Sequence, residues 1–515
     1  MKIAGQQLKI KSMKYLTILV LLIAAQVIQA QENPFSQENA ELNALKKYEL
    51  THPPRPTNPI PAPATDETLF GARLIRSATL LATSCPERRW PVKILIYGQS
   101  ISGSQIFTEQ MSAYLKEKFP FADISLENRS IGGFGGDRLI RTAVHDVYTA
   151  CADLIIFHVY GGEQHGELEQ FFTNVRRYTT ADILLMNHHL SGTQTEYIPS
   201  SYQYLRYIAN KYNCELADIS SEWMKYLSDN QLRTADLLRD GTHPNRNGNW
   251  LLAHLVGRHL RYNPLFPGEW QNRIQTCFTT SAYDNNPDNP LTFKGQPWNI
   301  TDGVPTGVAK QSALKLTFYG NRVDVIAGQL QNGKNGGTAH IIIDGKADAD
   351  KNLPYTITRP GHGPGTWFPA IKRISHQSPL LPEKWLLKID KINSDSTVWF
   401  FTVKGSLTGI DGSGRSDQPF VSKSGRVVID ASDYMFADIK KGFKVMTPVG
   451  FEVNWSVVPL FQSTYSAPVT ADKAKMYKTT LVQGLKNGPH TLELIPNGNG
   501  PVPVEAFEIY RPPTQ

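Results

Sequence analysis

Residues 92–102 read Val-Lys-Ile-Leu-Ile-Tyr-Gly-Gln-Ser-Ile-Ser, and they predict a buried strand that ends in a glycine and two serines. A nearly continuous apolar run of this length is typical of a strand that is covered on both faces of a parallel sheet. The glycine allows a sharp turn, which would leave the hydroxyl of Ser100 or Ser102 exposed above the sheet. The alternative is that one of these serines only caps the helix that follows.

Further short apolar runs follow along the chain, and helix-patterned stretches such as 106–119 and 202–212 lie between them. The apolar runs are 124–127, 154–159, 183–186 and 215–219. Strands and helices that alternate at this spacing predict βαβ units, and therefore a parallel sheet with helices on both faces. Ligands of such sheets bind beyond the carboxyl ends of the strands.

After about residue 279 the sequence changes to alternating β-rich runs that are separated by turn signals. The strongest of these signals are Asn332-Gly, Asp344-Gly, Asp411-Gly and Asn487-Gly. This half predicts an antiparallel β-sandwich, and an additional small β unit is left open.

These patterns divide the chain of 515 residues, of which 40% are hydrophobic, into four segments. We predict a leader at 1–30, an extended proline-rich lead-in at 31–68, an α/β domain at 69–277 and β-sandwich module(s) at 278–515. The composition excludes a disordered or collagen-like chain, and the length exceeds what one hydrophobic core serves.

The leader contains four lysines, followed by an apolar run from Tyr15 to Ala25. This pattern is typical of a secretory signal peptide cleaved after Ala30, and the run is shorter than a membrane span of about 20 residues. We therefore expect a protein that is exported to the periplasm or the medium, with no membrane insertion after cleavage. An uncleaved anchor is the alternative.

The charge balance argues against one class of partner. Lys and Arg number 53 against 46 for Asp and Glu, and four of the lysines lie in the leader. The remaining surface is nearly balanced, whereas nucleic-acid binding depends on dense Lys and Arg contacts to phosphates. We expect no nucleic-acid partner, and the sequence carries no signal for the oligomeric state.

The four cysteines would be free to form disulfides in an oxidising compartment. They show no CxxC spacing, which disfavours structural zinc. Cys85 and Cys277 bracket the α/β domain and are the preferred disulfide pair. Cys151 and Cys214 each precede an apolar run, and we expect them to be buried free thiols.

The loop Asp240-Gly-Thr-His243-Pro-Asn245 precedes the last helical stretch of the α/β domain. An Asp three residues before a His, held between Gly and Pro, can set a carboxylate beside an imidazole. The carboxylate would then fix the tautomer, so that the other ring nitrogen could take a proton from a serine. The alternative is a helix-entry loop capped by Asn245, with an incidental histidine. We favour the first reading, because this loop and the serine turn lie at the same end of the predicted sheet.

Four segments together resemble the sequence blocks of the SGNH (GDSL-type) hydrolase family. They are Gly98-Gln-Ser100, Asn128-Arg-Ser-Ile-Gly-Gly133, Tyr160-Gly-Gly-Glu163 and Asp240-Gly-Thr-His243-Pro244. The resemblance covers about residues 92–262, and it implies a three-layer α/β/α, flavodoxin-like fold and serine-dependent ester hydrolysis. By matching position it implies Ser100 as nucleophile, His243 as base and Asp240 as its orienting partner. It also implies the backbone N–H groups of Ser100 and Gly133 as oxyanion donors.

The chain departs from the family pattern at two positions. Gln99 replaces the usual Asp before the serine, and we expect this to be tolerated because the hydroxyl and its backbone remain. Glu163 stands where the family places an oxyanion-donating Asn, and an ionised carboxylate cannot donate a hydrogen bond. Either Gln164 donates instead, or the two backbone groups suffice, or Glu163 donates as a neutral acid.

Two further histidines, His188 and His189, follow the fourth apolar run and are candidate substrate contacts, although a structural or solvent-facing role is an equal alternative. The segment Gly132-Gly-Phe-Gly-Gly136 lacks the Lys-Ser/Thr of a P-loop, so we predict no nucleotide site. The absence of HExxH and EF-hand motifs predicts no metal, and we expect no cofactor.

The β-rich half is similar to the jelly-roll modules that accompany carbohydrate-active enzymes, in segments such as 318–323, 488–494 and 507–510. Its tryptophans either stack on sugars or fill a core; they are Trp298, Trp367, Trp385, Trp399 and Trp455. The predicted function is an exported esterase that removes small acyl groups, above all acetyl, from an acylated polysaccharide or oligosaccharide. The alternatives are a lipid or aryl esterase with the same triad, and a catalytically silent glycan-binding protein.

Overall fold

A computed structural model describes residues 36–53, 55, 57–161, 166–192, 199–264, 273–284, 286–330, 336–346 and 353–514, without the side chains of 199–201. The predicted leader lies outside these residues. Within them, no helix combines the length and the apolar character that a membrane crossing requires.

The first domain is built on a five-stranded parallel sheet in the order β2-β1-β3-β4-β5. Its strands are β1 (Pro91–Tyr97), β2 (Asp123–Asn128), β3 (Leu154–His158), β4 (Asp182–Met186) and β5 (Glu215–Ala217). This is the flavodoxin-like order, whose switch point between β1 and β3 is the usual place for a ligand. The fold that the family resemblance implied is therefore confirmed.

Helices cover both faces of this sheet. They are α1 (Gln37–Glu49), α2 (Ile75–Thr83), α3 (Gln105–Lys118), α4 (Gly136–Asp146), α5 (Glu167–Tyr178), α6 (Pro199–Lys211), α7 (Ile219–Asp229) and α8 (Arg246–Gly257). Strand β1 sends Ile94 and Ile96 into one core with α3 and α8, and Leu95 and Tyr97 into the other core with α4 and α5. A strand that is apolar on both faces thus produces the three layers.

The second domain is an antiparallel β-sandwich. One sheet has the order β20-β12-β22-β10-β7, and the other has the order β21-β11-β23-β9-β8, with β6 also paired to β23. The strands are β6 (Ile274–Phe278), β7 (Leu291–Lys294), β8 (Asn299–Thr301), β9 (Val304–Gly307), β10 (Ala313–Gly320), β11 (Arg322–Ala327), β12 (Thr338–Ile343), β20 (Thr464–Ser466), β21 (Lys478–Val482), β22 (Gly488–Pro496) and β23 (Val502–Tyr510). Alternate residues of both sheets, such as Leu314 and Leu494 from one and Val325 and Phe507 from the other, form one core.

A third unit lies between β12 and β20, and we call residues 355–459 the inserted unit. It contains β13 (Tyr355–Ile357), β14 (Lys384–Ile392), β15 (Trp399–Gly405), β16 (Gly409–Arg415), β17 (Phe420–Val421), β18 (Val428–Ile429), α9 (Phe436–Phe443) and β19 (Glu452–Pro459). It has its own core, which includes Trp385, Trp399 and Trp455. This is the additional small β unit that the sequence left open. Trp298 is also buried, so of the five tryptophans only Trp367 is half-exposed.

Two predicted boundaries need correction. Residues 37–49 form α1 rather than an extended lead-in, because Ser36 caps the helix by accepting the Asn39 N–H and Lys46 and Lys47 lie in its last turn. The predicted α/β domain also ended too late at residue 277, since β6 pairs with β23 of the sandwich.

The preferred disulfide between Cys85 and Cys277 is wrong, because all four cysteines are free. Cys277 packs in the sandwich core, whereas Cys85 lies in a turn just before β1. Cys214 is a buried free thiol as predicted, and the half-buried Cys151 donates to Gln483 Oε1 at 2.7 Å.

The inserted unit and the first domain share apolar and polar contacts. Phe368, Met435 and Ile439 pack into the core between the sheet and helices α4 and α5. Arg359 Nε lies 2.8 Å from Asp146 Oδ1 at the end of α4. The inserted unit is therefore packed onto the α/β domain rather than connected to it by a linker.

Candidate active site

The turn after β1 carries Ser100 and requires a glycine at its start. A Cβ on Gly98 would lie 2.4 Å from the carbonyl oxygen of His158 and 2.4 Å from Ser102 Oγ, so no other residue fits. The Gln99 side-chain amide donates to the Tyr160 carbonyl at 2.7 Å. Gln99 therefore connects the serine turn to the loop that follows β3.

The loop before α8 holds Asp240 and His243 in a fixed relation. Asp240 Oδ1 accepts the backbone N–H groups of Thr242 at 2.8 Å and of His243 at 2.7 Å. His243 Nδ1 lies 3.0 Å from Asp240 Oδ2. Asn245 caps α8 by accepting the Gly248 N–H, so the capping role that the sequence offered as an alternative coexists with the Asp–His pair.

Ser100, His243 and Asp240 form one hydrogen-bonded line, since Ser100 Oγ lies 3.0 Å from His243 Nε2. The contact with the Asp240 carboxylate requires Nδ1 to carry the proton, which leaves Nε2 to accept from the serine hydroxyl. Burial raises the pKa of Asp240, but the N–H groups of His243 and Thr242 and the nearby imidazole outweigh it. The pKa of Asp240 is thus lower than usual, and the carboxylate is ionised at neutral pH.

Ser102, the competing serine, is fully buried and belongs to the framework of the turn. Its hydroxyl donates to the Gln99 carbonyl at 3.1 Å and lies 3.1 Å from Ser130 Oγ. The N-cap of α3 is Ser104, so neither candidate serine caps that helix. Ser100 alone of the two contacts His243.

The two predicted backbone oxyanion donors lie in turns, and the Ser100 turn is largely buried with Ser100 itself half-buried. Gly133 is exposed and has a φ of +82°, a conformation that favours glycine. Among the described residues, neither the Ser100 N–H nor the Gly133 N–H has a hydrogen-bond partner. Glu163 and Gln164 lie outside the described residues, so the third donor stays a prediction.

The two candidate substrate histidines differ in position. His189 is 2% exposed and its Nε2 lies 2.8 Å from the Thr242 carbonyl, so it supports the Asp–His loop and does not reach solvent. Burial lowers the pKa of His189 to about 4, which keeps the ring neutral. His188 is half-buried, stacks on Tyr160 at 3.9 Å between ring centroids, and stays a candidate substrate contact.

The sequence did not predict that α1 reaches the site. Glu41 Oε2 accepts the Gln105 N–H at 3.0 Å, and Arg239 Nη1 lies 3.4 Å from Glu41 Oε1. Burial raises the pKa of Glu41, against the opposing effects of Ser104, Arg239, Gln105 and His243. The Ser36 cap and the terminal lysines Lys46 and Lys47 are local signals for helix α1. No local pattern in the sequence indicates the contacts of Glu41, because its partners lie far along the chain.

Comparison with known proteins gives matches among solved structures alone: no family model and no curated protein matches the chain. A two-domain esterase described as active on acetylated mannans is 14% identical, over 86% of this chain and 95% of that chain, with a TM-score of 0.31. The acetyl xylan esterase AlAXEase is 19% identical, over 32% of this chain and 98% of its own, with a TM-score of 0.28. A putative GDSL-like lipase from Parabacteroides merdae is 16% identical, over 34% and 98%, with a TM-score of 0.28. The similar structures thus include proteins described as acetyl esterases and one described as a GDSL-like lipase.

Proposed function

We propose that this chain is an exported serine ester hydrolase that removes small acyl groups, above all acetyl, from a polysaccharide or oligosaccharide. The observation that carries the proposal is the line of contacts from Asp240 through His243 to Ser100, at 3.0 Å for each step. The backbone N–H groups of Ser100 and Gly133 accompany it and have no hydrogen-bond partner within the part of the chain that the structure describes, so they can serve as the oxyanion donors that acyl transfer requires.

The reaction follows from the roles of these groups. Ser100 Oγ attacks the ester carbonyl carbon while His243 Nε2 takes the hydroxyl proton, and the N–H groups of Ser100 and Gly133 bind the oxyanion. The bond between the acyl carbon and the sugar oxygen then breaks, and His243 returns the proton to that oxygen. Water, deprotonated by His243, attacks the acyl-enzyme and releases the carboxylic acid with Ser100 restored.

Polar clefts beside the site favour a hydroxyl-rich substrate over a lipid. One cleft of about 580 Å³ adjoins Asp240 and is lined by side chains such as Tyr48, Glu49, Arg233, Asn245 and Arg246. Another, of about 740 Å³, is lined by Gln105, Asn128, Arg359, His362 and Trp367. Many polar groups with a few aromatic rings suit a carbohydrate, whose hydroxyls need partners and whose ring faces stack.

Export and the attached β units also support a glycan substrate. The predicted signal peptide would bring the enzyme to a compartment where polysaccharides occur, and the β-rich half is similar in sequence to modules of carbohydrate-active enzymes. This inference from export and the β units to a glycan substrate rests on features that occur together in other proteins, and not on the geometry of the site.

The test compares acetylated glycans, long-chain lipid esters and nitrophenyl acetate as substrates of the wild type, Ser100→Ala and Ser102→Ala. Ser100→Ala should lose at least about a thousandfold in kcat because it removes the nucleophile. Ser102→Ala removes two neutral framework hydrogen bonds, to the Gln99 carbonyl and to Ser130 Oγ, and should cost less than about tenfold in kcat.

Three results would contradict the proposal. Loss of turnover in Ser102→Ala but not in Ser100→Ala would reject the nucleophile. Hydrolysis of lipid esters without deacetylation of glycans would indicate a lipid esterase. A wild type that binds glycan and hydrolyses no ester would be a silent binding protein.

A further inference from the structure

The turn at residues 131–134 presents the Gly133 N–H, and two side chains from distant parts of the chain bind its polar groups. Trp367 Nε1, from the inserted unit, donates to the Gly132 carbonyl at 3.0 Å. Gln37 Oε1, from α1, accepts the Gly132 N–H at 2.6 Å. Both contacts come from outside the segment that resembles the SGNH family.

The Gly132 carbonyl and the Gly133 N–H belong to the same peptide unit. A trans peptide is planar, and its C=O and N–H bonds point in opposite directions. A donor that fixes the carbonyl on one side therefore fixes the N–H on the other. Through the Gly132 carbonyl, Trp367 determines the direction in which the Gly133 N–H points.

This peptide needs such restraint because glycines stand on both sides of it. Glycine populates positive and negative φ about equally, so a Gly-Gly peptide rotates more easily than any other. The neighbouring side chains also limit the space: a Cβ on Gly133 would lie 3.1 Å from Phe368 Cζ, and one on Gly132 would lie 2.9 Å from Gln37 Cδ. The turn is thus enclosed by the residues that bind it.

We propose that Trp367 and Gln37 are positioning residues that aim the Gly133 N–H at the developing oxyanion. Trp367 holds the Gly132–Gly133 peptide through its carbonyl, and Gln37 holds the preceding peptide through the Gly132 N–H. The proposal rests on the proposed function and deepens it. A donor that is already oriented stabilises the transition state without a reorganisation cost, whereas a rotating donor does not. The inserted unit thereby takes part in the chemistry, in addition to any contact it makes with substrate.

The test uses two variants that keep the shape of the side chain and remove its polar group, Trp367→Phe and Gln37→Met. Removing a whole oxyanion donor costs about a hundredfold or more, so loss of its restraint should lower kcat on nitrophenyl acetate by about tenfold. KM should stay within about twofold, because the ground-state ester does not depend on the donor. The double variant should lose less than the product of the two single losses, since both side chains act on one turn.

Two further measurements separate positioning from a general structural role. Affinity for an alkylboronic acid, which forms a tetrahedral adduct on the serine, should fall in parallel with kcat, while the melting temperature changes little. The matched control is Trp399→Phe, which removes an indole N–H that donates to the Thr447 carbonyl at 3.0 Å in the core of the inserted unit. It should leave kcat and boronate affinity unchanged.

The proposal is overturned if both variants keep wild-type kcat and boronate affinity, or if only KM and the melting temperature change. A crystal structure of the double variant gives a readout that does not depend on activity. It should show the Gly132–Gly133 peptide rotated or in several orientations, and an unchanged peptide would reject the proposal. If the wild type hydrolyses no ester, the proposed function has failed, and this structure still decides whether Trp367 and Gln37 fix the peptide.

Discussion

At the scale of single residues, the Asp240 carboxylate does more than pair with an imidazole. It accepts two backbone N–H groups as well as the His243 Nδ1–H, and together these bind its ionised form. Because the pKa of Asp240 lies below its ordinary value despite burial, the carboxylate stays charged at neutral pH. Asp240 can therefore orient the ring without taking its proton.

Asp240→Asn should lower kcat by about ten-thousandfold at neutral pH. The amide oxygen can still accept the two backbone N–H groups, so its NH₂ would face His243 Nδ1. That contact forces Nδ1 to be an acceptor and leaves the proton on Nε2, which then cannot accept from Ser100. Turnover of nitrophenyl acetate measures the loss, and activity within tenfold of wild type would show that the tautomer is fixed by another group.

Glu163 and Gln164 are the residues for which the third oxyanion donor is predicted. Gln164→Ala should lose about a hundredfold in kcat if its amide is a donor. Glu163→Asn should be neutral or activating if the acid only repels the oxyanion, but damaging if it donates as a neutral acid. If Glu163 donates as a neutral acid, turnover of the wild type should also fall as pH rises through the pKa of Glu163, because the ionised acid cannot donate. If both variants match the wild type in rate and pH profile, the two backbone donors suffice.

The sequence narrowed the nucleophile to two serines but did not choose between them from pattern alone. Ser100 and Ser102 lie in a turn, where neither the strand period nor the helix period predicts the direction of a side chain. The choice follows from Gly98, whose close contact with the His158 carbonyl fixes the path of the turn. The Asp–His loop was more predictable, since the contacts that join Asp240 to Thr242 and His243 span at most three residues.

At the scale of elements, α4 joins the α/β domain to the inserted unit through a buried histidine. His145 Nδ1 lies 2.8 Å from the Ile357 carbonyl, and His145 Nε2 accepts the Ile374 N–H at 3.2 Å. Burial lowers the pKa of His145 to about 4, and the charges of Arg359 and Arg373 act in the same direction. The neutral ring is needed because a protonated Nε2 could not accept from Ile374.

This histidine should make the protein less stable in mild acid. Its folded pKa of about 4 lies below the unfolded value of 6.5, so the unfolded chain binds the extra proton first as pH falls between these values. The contribution of His145 to the free energy of unfolding is complete above about pH 6.5, and it decreases by about 3 kcal/mol as the pH falls to 4. The measurement is the urea midpoint from pH 7.5 to 4.

His145→Gln is the matched variant, because its amide can donate to Ile357 and accept from Ile374 without titrating. The variant should show a shallower decline in midpoint with falling pH than the wild type. Equal declines in the two proteins would mean that other groups carry the acid sensitivity.

The elements were predicted with unequal success for a physical reason. The five strands of the parallel sheet are short apolar runs, and each is visible in the sequence by itself. Helix α1 buries only Glu41 and Leu45 on its own length, so it lacks the apolar period by which a packed helix is recognised. Its position depends on Gln105, Gly132 and Arg239, which lie far along the chain.

At the scale of the whole molecule, the inserted unit and the α/β domain share a buried interface. Phe368, Met435 and Ile439 complete a core of the α/β domain, and Arg359 is the partner of the buried Asp146. The sequence predicted the change from α/β to β texture near residue 279. It did not predict the nesting of one β unit within another, because β12 pairs with β20 across the whole inserted unit and a pair so far apart in the chain leaves no local signal.

A chain that ends after residue 264 should be insoluble or should lose cooperative unfolding. The truncation exposes the apolar side of α4 and α5, and it leaves Asp146 and His145 without their partners. Soluble yield and near-UV circular dichroism measure this, with full-length Ser100→Ala as the control for a folded but inactive protein. A soluble truncated protein with unchanged activity on polymeric substrate would reject both a supporting and a glycan-binding role for the β units.

The last strand of the chain has a consequence for biosynthesis. β23 pairs with β11 along one edge and with β9 and β6 along the other, so it is an inner strand of its sheet. Until the ribosome has translated as far as Tyr510, β6 and β11 lack this partner and offer open edges to other nascent chains. The sandwich cannot close before β23 has left the ribosome, and a stop codon between Ala327 and Val502 would leave the edges of β6 and β11 open for aggregation or proteolytic quality control.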